Sequence, residues 1–528
     1  MKKYKIVVCD HIHTKGLDIL DKESDISLLN LANLKKDELL EVISEADVAI
    51  TRSSTDVDVK FLEHAKNLKA IVRAGVGVDN VDIPECSRRG VVVMNVPTAN
   101  TIAAVELTMA HLLNAARMFP YAHNQLKYDK VWKREDWYGI ELSGKTLGII
   151  GFGNIGSRVG IRAKAFDMDV KAYDPYIKPS KATDLGVEYT TSFDEILQCD
   201  FITIHTPKNK ETIDMIDKDE IGRIKEGATL LNVARGGLYN EQALYEALKS
   251  KKIRFAGIDV FTKEPATENR LLDLDNINVT PHLGANTLES QEKIATQAAE
   301  CALLAAKGIA FKNALNLPVK ESELPPFAKP YFELVQKIGF FLSQTNKGAI
   351  TSIKISAEGE IGEFLDSLAT FGAVGALRSS IGENVNYVNA QFIAKERGIE
   401  IETEKLANSS GYKNLVTVRL TTDRETLSIS GTVFGEDWQR IVEINGFTMD
   451  IEPKGKMLLF HNTDVPGVIG DVGSILAKHK INIADFRLGR GKHNQALAAI
   501  IVDDEAGKDV LRELSSLKAC LGISYVEI

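Results

Sequence analysis

Lys145-Thr146-Leu147-Gly148-Ile149-Ile150-Gly151-Phe152-Gly153-Asn154-Ile155-Gly156 opens a stretch that closes, after a helical run, on Met168-Asp169-Val170-Lys171-Ala172-Tyr173-Asp174. It reads as a short apolar strand, a glycine turn, a helix with Ile155, Val159, Ala163 and Phe166 on one face, and a second strand ending in a carboxylate. That is one βαβ unit. Gly151 permits the tight turn, Gly153 lets the backbone approach a pyrophosphate, and Gly156 lets the helix pack close to the strand with its unpaired N–H groups aimed at phosphate. Asp174, 18 residues after Gly156, stands where a ribose hydroxyl would be gripped. A lone GxGxxG can be no more than a glycine-rich turn; strand, helix and terminal acid in this order argue for a dinucleotide site. Asp174 would repel a 2′-phosphate and Pro175 brings no compensating Arg, so the expected cofactor is NAD rather than NADP.

Working outward, strands keep alternating with helices. Before the unit come Ile6-Val7-Val8, Val48-Ala49-Ile50, Ala70-Ile71-Val72 and Val91-Val92-Val93, with amphipathic runs such as Asp37 to Ser44 between them. After it come Phe201 to His205, Thr229 to Val233, Ala256 to Asp259 and Ile277 to Thr280, which completes a six-stranded nucleotide-binding sheet. The alternation predicts an α/β protein with two doubly wound parallel sheets. The first sheet carries no phosphate fingerprint and is expected to hold substrate. Arg52 and Arg73 each follow an apolar strand, at the carboxyl end where open α/β sheets bind ligands. Surface arginines beside tight turns are the plain alternative. Asn100 to Arg117 reads as a helix too apolar around its circumference for a surface element, hence a buried connection or a subunit interface.

Further on, Pro318, Pro325, Pro326 and Pro330, four of the chain's 14 prolines, fall within 13 residues and mark a linker. A glycine-sprinkled α+β region without a catalytic constellation follows, from Tyr331 to Pro453. The last unit, Lys456 to Ile528, reads strand, helix, strand, strand, helix, strand, the βαββαβ ferredoxin-like plan.

A chain of 528 residues, 44% hydrophobic and 26% charged, has material for roughly three or four domains with ordinary cores. The net charge of −9 gives no encouragement to nucleic-acid binding, so an anionic ligand must be held by local positive groups. Cys9, Cys86, Cys199, Cys301 and Cys520 are odd in number, far apart and in no CxxC pair, which argues for a reducing compartment and against disulfides and structural zinc. The opening MKKYKIVVCD reaches a charge too soon for a signal-peptide core, and no apolar run approaches the roughly 20 residues of a membrane helix. The expectation is a cytoplasmic protein with neither a membrane nor a nucleic-acid partner.

Three strand ends carry groups suited to chemistry. Asn232-Val233-Ala234-Arg235-Gly236-Gly237 offers a guanidinium with two glycines leaving room beside it; Asp259 to Pro265 carries Glu264; Thr280-Pro281-His282-Leu283-Gly284-Ala285 carries His282. Taken singly, each has an ordinary structural use. Behind a dinucleotide fingerprint they match hydride transfer between nicotinamide and a secondary alcohol, which needs a base for the hydroxyl proton and a cation to orient the acid. His282 would be that base, with Glu264 fixing its tautomer. Arg235 would hold a substrate carboxylate through two charge-assisted hydrogen bonds. No metal is required, and no ligand cluster for one is visible.

The order Gly151-x-Gly153-x-x-Gly156, Arg235-Gly-Gly, Glu264-Pro265 and Pro281-His282 resembles the D-2-hydroxyacid dehydrogenase family over Met1 to Pro318. With the linker, middle region and last unit added, the whole chain resembles that family's long-form D-3-phosphoglycerate dehydrogenases. The resemblance implies Arg235 and Glu264 as active-site residues and His282 as proton donor. It also implies cofactor contacts at Val76, Gly151, Gly153, Asn154, Ile155, Gly156, Asp174, Thr206, Val233, Ala234, Arg235, Asp259, His282, Leu283, Gly284 and Ala285. Members often carry Thr where this chain has Val76, so a backbone contact is what carries over there. Arg52, Arg73 and Gly75 match the substrate side, the two arginines at phosphate-binding positions, and Lys133 or Arg134 could reach in from a neighbouring subunit. The last unit resembles the ACT domain, in which Asn462, Asp464 and Asn482 match positions that hold serine, although Asn462 replaces a His or Tyr. The plain alternative is that Asp464 caps the following helix and the two Asn residues are turn formers.

The resulting layout is a flavodoxin-like substrate-binding domain (1–98 and 286–317), a Rossmann NAD-binding domain (99–285), a linker with an α+β intervening domain (318–454), and an ACT domain (455–528). The function the resemblance implies is NAD-dependent oxidation of 3-phosphoglycerate to 3-phosphohydroxypyruvate, the first step of L-serine biosynthesis, in a homo-oligomer (dimer or tetramer) with L-serine as a feedback effector. Two alternatives stand beside it. Another D-2-hydroxy acid could be the substrate, or the fold could serve a non-catalytic NAD-sensing regulator, which could dispense with the Arg, Glu, His set that this chain retains.

Overall fold

The computed structural model describes residues 3–319, 324–407, 411–491 and 493–528; part of the expected linker, residues 320–323, lies outside them. The β-branched runs of the first segment form β1 (Tyr4–Val8), β2 (Ile26–Asn30), β3 (Val48–Thr51), β4 (Ala70–Arg73) and β5 (Val92–Asn95). All pair in parallel, in the order β2-β1-β3-β4-β5, the flavodoxin-like arrangement. Four of these strands were legible as apolar runs. The fifth, β2, is an edge strand with only Ile26 fully buried, so its alternation is weak.

The chain leaves this sheet through the helix Thr101–Arg117 and builds β6 (Thr146–Ile150), β7 (Asp169–Tyr173), β8 (Glu188–Tyr189), β9 (Phe201–Ile204), β10 (Ala228–Asn232), β11 (Ile253–Ile258) and β12 (Ile277–Val279). They form a seven-stranded parallel sheet, β12-β11-β10-β9-β6-β7-β8, not the six-stranded one expected. The addition is β8, a two-residue edge strand paired with β7, too short to show a period. The order reverses between β6 and β9, and there the strand ends open a crevice. The helix Thr101–Arg117 is buried along most of its length, with Val105, Met109, Leu112 and Ala115 in the core of this domain, so it is a buried connection. The helix Leu288–Ala306 returns to the first sheet, where Ile294, Ala298 and Ala302 share a core with Ile6, Val8, Ile50 and Val72. The Asn316 side chain then closes the loop, accepting from Val93 N–H (2.9 Å) and donating to the Val91 carbonyl (2.9 Å).

Beyond the linker, Pro330 sits at the start of the helix Lys329–Thr345 rather than in a connecting segment; proline suits that position because the first helical N–H has no partner to lose. This helix and Leu365–Ile381 cover a mixed sheet of β13 (Ile350–Glu358), β14 (Glu400–Leu406), β15 (Leu415–Thr422), β16 (Thr426–Phe434), β17 (Trp438–Ile444) and β18 (Phe447–Ile451), ordered β14-β13-β15-β16-β17-β18. The last unit is an antiparallel sheet of β19 (Lys456–Thr463), β20 (Ile483–Arg490), β21 (Gln495–Val502) and β22 (Cys520–Glu527), ordered β20-β21-β19-β22, with helices Val468–Lys478 and Lys508–Ser515 on one face. Alternation along β19 divides its side chains: Leu458 and Phe460 pack under those helices, while Met457 and Leu459 join the core of the preceding domain. The two C-terminal units thus share one continuous core. They touch the first sheet through Val388, buried beside Val92 and Met94, and through Asn386, whose Nδ2 donates to the Gly90 carbonyl (2.9 Å). Among the described residues, no helix is long and apolar enough to cross a membrane.

Candidate active site

The glycine turn follows β6 directly. Gly151 has φ +86, and a Cβ there would press on the His205 carbonyl, so neighbouring strand ends meet backbone to backbone. A Cβ at Gly156 would overlap the Gly151 carbonyl oxygen, whereas one at Gly153 would meet nothing within 4 Å. The space in front of Gly153, at the N-terminus of the helix Asn154–Lys164, is therefore open, which is what a pyrophosphate needs. The Asp174 carboxylate, at the end of β7, accepts the Phe152 N–H (2.9 Å) and the Tyr176 N–H (3.0 Å), which fixes it beside the turn.

The crevice between the two sheets is a cleft of about 360 Å³. Val76, Asn154, Ile155, Thr206, Val233, Ala234, Arg235, His282, Gly284 and Ala285, all expected as cofactor contacts, line it. Two buried side-chain oxygens at the cleft, Thr206 Oγ1 and Asn100 Oδ1, have no protein partner among the described residues. Buried polar atoms are normally satisfied, so these orphans, with the open space over Gly153, fit a polar dinucleotide lying in the cleft. Three larger hollows, of about 870, 720 and 580 Å³, lie against Trp438 in the α+β domain, against Trp132, and on the Pro265 side of the Glu264–His282 pair. The chemistry, not the volume, singles out the cleft.

His282 stands at one end of the cleft. Its Nδ1 is 2.8 Å from Glu264 Oε2, so an ionised Glu264 accepts the Nδ1–H and leaves Nε2 as the proton acceptor. Burial would raise the Glu264 carboxyl, but the hydrogen bonds from His282 and the Phe261 N–H, with the His282 and Arg235 charges, outweigh it and hold the group below the ordinary range. His282 has φ +56, an uncommon conformation for a residue with a Cβ, and its N–H donates to the Asp259 (2.8 Å) and Thr280 (3.0 Å) carbonyls. Asp259, expected as a cofactor contact, is fully buried; its carboxylate accepts from Thr280 Oγ1 (2.6 Å), Leu283 N–H (2.7 Å) and Gly284 N–H (2.9 Å). Its side chain shapes the His282 loop, and Leu283 contributes to the same bonding. His111 extends this chain from the connecting helix, its Nε2 donating to Thr280 Oγ1 (2.9 Å) while burial pushes the imidazole down to about 4 and keeps it neutral.

Arg235 follows β10. Asn232 holds its loop by donating to the Arg235 carbonyl (2.8 Å), and the guanidinium donates to the Ala234 carbonyl (2.7 Å) and, from Nε, to Asp79 Oδ2 (3.1 Å) on the opposite wall. Arg73 lies close enough to feel it. Burial, then the charges of Arg235 and Arg52, pull the Arg73 guanidinium down to about 10, and its Nε has no protein partner among the described residues. A Cβ at Gly75 would overlap Arg73 Nη1, so Gly75 makes room for Arg73. Arg52 donates from Nη1 to the His11 carbonyl (2.8 Å) and is also lowered by burial. Lys133 and Arg134 stand outside the cleft of their own chain, lining the Trp132 hollow.

In the last unit, Asn462 and Asp464 line a hollow of about 330 Å³. Asn462 is 2% exposed with its Oδ1 unpartnered among the described residues, and Asp464 Oδ2 lies 3.2 Å from Arg490 Nε. Asp464 does not cap the next helix, whose N-cap is Gly467. Asn482 does not join this hollow: it is exposed and donates to Asp503 Oδ2 (2.7 Å). Asp79, Asn100, His205 and Lys208 line the main cleft without having been expected there. Three of them had left a trace: Asp79 in the loop 73–80 after an apolar strand, His205 as a strand end and Asn100 at the start of a long apolar helix.

Residues 109–284 match the family described as D-isomer specific 2-hydroxyacid dehydrogenase, NAD binding domain; residues 328–445 match the D-3-phosphoglycerate dehydrogenase intervening domain, and residues 456–519 the ACT domain. A D-3-phosphoglycerate dehydrogenase of Archaeoglobus fulgidus is 37% identical over 99% of this chain and 100% of its own length. One from Bacillus subtilis is likewise 37% identical over 99% and 100%. Among solved structures, an NAD-dependent formate dehydrogenase of Staphylococcus aureus in complex with NAD shares 29% identity and a TM-score of 0.54, covering 59% of this chain and 98% of that one. A D-lactate dehydrogenase of Aquifex aeolicus with NAD and lactic acid shares 27% identity and a TM-score of 0.52, covering 59% and 98%.

Proposed function

The chain belongs to the D-3-phosphoglycerate dehydrogenase family of NAD-dependent oxidoreductases acting on a CH–OH donor, and from that premise we propose that it oxidises 3-phospho-D-glycerate at C2 to 3-phosphohydroxypyruvate, with His282, Glu264 and Arg235 as its catalytic set. The observation that carries this reading is the pairing of Glu264 (2.8 Å) with His282, which lines the same cleft as Arg235. Glu264 holds the Nδ1–H and presents Nε2 to the C2 hydroxyl, whose proton His282 takes as the carbonyl forms. Bound NAD supplies the acceptor for the hydride that leaves C2. Arg235 grips the carboxylate next to C2 and keeps the reacting carbon in register with the imidazole. Arg73 and Arg52 supply positive charge for the phosphate, since they crowd together at the carboxyl end of the first sheet. Asn154, Ile155, Thr206, Val233 to Arg235 and Gly284 to Ala285 hold NAD, with Gly153 giving its pyrophosphate room and Asp174 meeting the ribose.

We extend the proposal to assembly and control. Phe119 and Trp132, 65% and 77% exposed, line one hollow, and Tyr138, 81% exposed, follows its Trp137 in the chain; this is more aromatic surface than a lone chain ordinarily leaves in water, which suits a second copy of the chain. The orphaned Asn462 Oδ1 and the Asp464–Arg490 pair offer an acceptor, an acid and a guanidinium to an amino-acid effector, and L-serine is the end product that would signal through it. A cytoplasmic place follows from the same biosynthetic role.

An assay with NAD and 3-phosphoglycerate tests the reading. Turnover that drops steeply with unphosphorylated glycerate is expected; absent turnover, or equal rates with the two acids, removes the substrate assignment and the phosphate role of Arg52 and Arg73.

A further inference from the structure

Asp79 is the one acidic side chain lining the cleft among the described residues, and it stands among three arginines. It follows β4, whereas Arg235 follows β10, so their 3.1 Å bond spans the two walls. Its neighbour Asn80 works in the other direction. Asn80 Nδ2 donates to the Arg52 carbonyl (2.7 Å) and the Thr55 carbonyl (2.6 Å), tying the Arg52 loop to the same dipeptide. Gly77 completes the seat, because a Cβ there would overlap Arg235 Nη2. The guanidinium therefore lies against bare backbone.

The hydrogen-bond inventory shows what this does. A guanidinium has five N–H groups. In Arg235, Nε–H goes to Asp79 and one Nη1–H to the Ala234 carbonyl, which leaves three, one on Nη1 and two on Nη2. Those three suit a carboxylate and the carbonyl oxygen that grows beside it. Charge adds a second effect. Without Asp79, the arginines and Lys208 would hold an anion more tightly before reaction as well as during it, even with Asp10 beside Arg52 and Arg73, and binding of that kind lowers KM without raising kcat.

We propose that Asp79 is a positioning residue for the reaction: from the opposite wall it grips the Arg235 guanidinium and aims its remaining N–H groups at the substrate carboxylate. The inference rests on Arg235 as the substrate clamp.

The test uses the full chain with Asp79→Asn, which keeps the shape and removes the charge, and Asp79→Glu, which keeps the charge and moves it. Steady-state kinetics at saturating NAD, NADH affinity by fluorescence, the unfolding midpoint, and competitive inhibition by inorganic phosphate are read for each. In Asp79→Asn, kcat falls roughly ten- to hundredfold, the scale of a misplaced reacting group. KM for 3-phosphoglycerate does not rise, phosphate inhibits at lower concentration, and NADH affinity and the midpoint stay at the parent's values. Asp79→Glu recovers part of kcat. Three results overturn the proposal: kcat within about twofold of the parent; a raised KM at unchanged kcat; or joint loss of NADH affinity and midpoint, which marks a merely structural residue. An unsubstituted chain without turnover sinks the functional reading and this inference together, whereas an active parent with an indifferent Asp79→Asn sinks this inference alone.

Discussion

His282 has an unusual backbone (φ +56), two backbone acceptors for its N–H, and a carboxylate on its ring, so its imidazole is fixed in both position and tautomer. Replacing it with Ala should lower kcat by about 10²–10⁴, the usual worth of a positioned general base, while NADH fluorescence titration shows unchanged binding. Arg235→Ala should lower kcat/KM for 3-phosphoglycerate with NADH binding likewise intact; if both variants keep the parent's rate, the mechanism falls. Glu264 gives a pH signature. Burial opposes its ionisation, yet the hydrogen bonds from His282 and Phe261 hold its carboxyl below the ordinary range. A carboxyl lowered by folding lends stability that is fully present above its unfolded pKa, about 4.3, and lost as pH falls through the lower folded value. The midpoint difference between the parent and Glu264→Gln should therefore hold steady above about pH 6 and shrink as the solution is acidified below about pH 4. At this scale the sequence picked out His282, Glu264 and Arg235 as groups suited to chemistry. It gave Asp79 and His111 no role, because an acid in a glycine loop and a histidine on a helix look ordinary until the other wall is in place.

Among the elements, the glycine turn separates binding from folding. Gly153→Ala puts a methyl group into open space, so the midpoint should stay at the parent's value while NADH affinity falls, the added atoms competing with the pyrophosphate. Gly156→Ala drives a methyl group into the Gly151 carbonyl and should destabilise by about 1–3 kcal/mol, as overpacking does, and weaken NADH as well. Scanning calorimetry beside NADH titration distinguishes the two; equal midpoints for both variants would contradict the geometry. The strands that escaped notice, β2 and β8, are both edges. An edge strand is half solvated and can be brief, so neither an apolar run nor a period marks it. Pro330 was misassigned for a related reason: proline serves linkers and helix starts equally well, and only its burial against the α+β core separates the two.

For the whole molecule, the shared core of the last two units and their seat on the first sheet through Val388 and Asn386 make one C-terminal body docked on the first domain. A chain ending at Pro318 should still oxidise 3-phosphoglycerate but lose any response to added L-serine. Uncovering the Val388 seat should lower its unfolding midpoint, since burying a valine side chain contributes about 2 kcal/mol. Rates with and without serine on both chains check this. A truncated chain as serine-sensitive as the parent would place the effector outside the last unit.

The order of strands, helices and glycines along the chain was enough, without coordinates, to establish two parallel sheets, a dinucleotide turn, NAD as cofactor, a ferredoxin-like tail and the likeness to a dehydrogenase family. These depend on local periodicity and on residue types at short spacing, which a linear chain displays. Tertiary structure alone decided that Asp79 meets Arg235 across the cleft, that Asp259 serves the His282 loop from within the core, and that Asn482 stands apart from Asn462 and Asp464. Each of these depends on which way a side chain points between elements far apart in sequence, and that direction is set by packing, to which composition and spacing are blind.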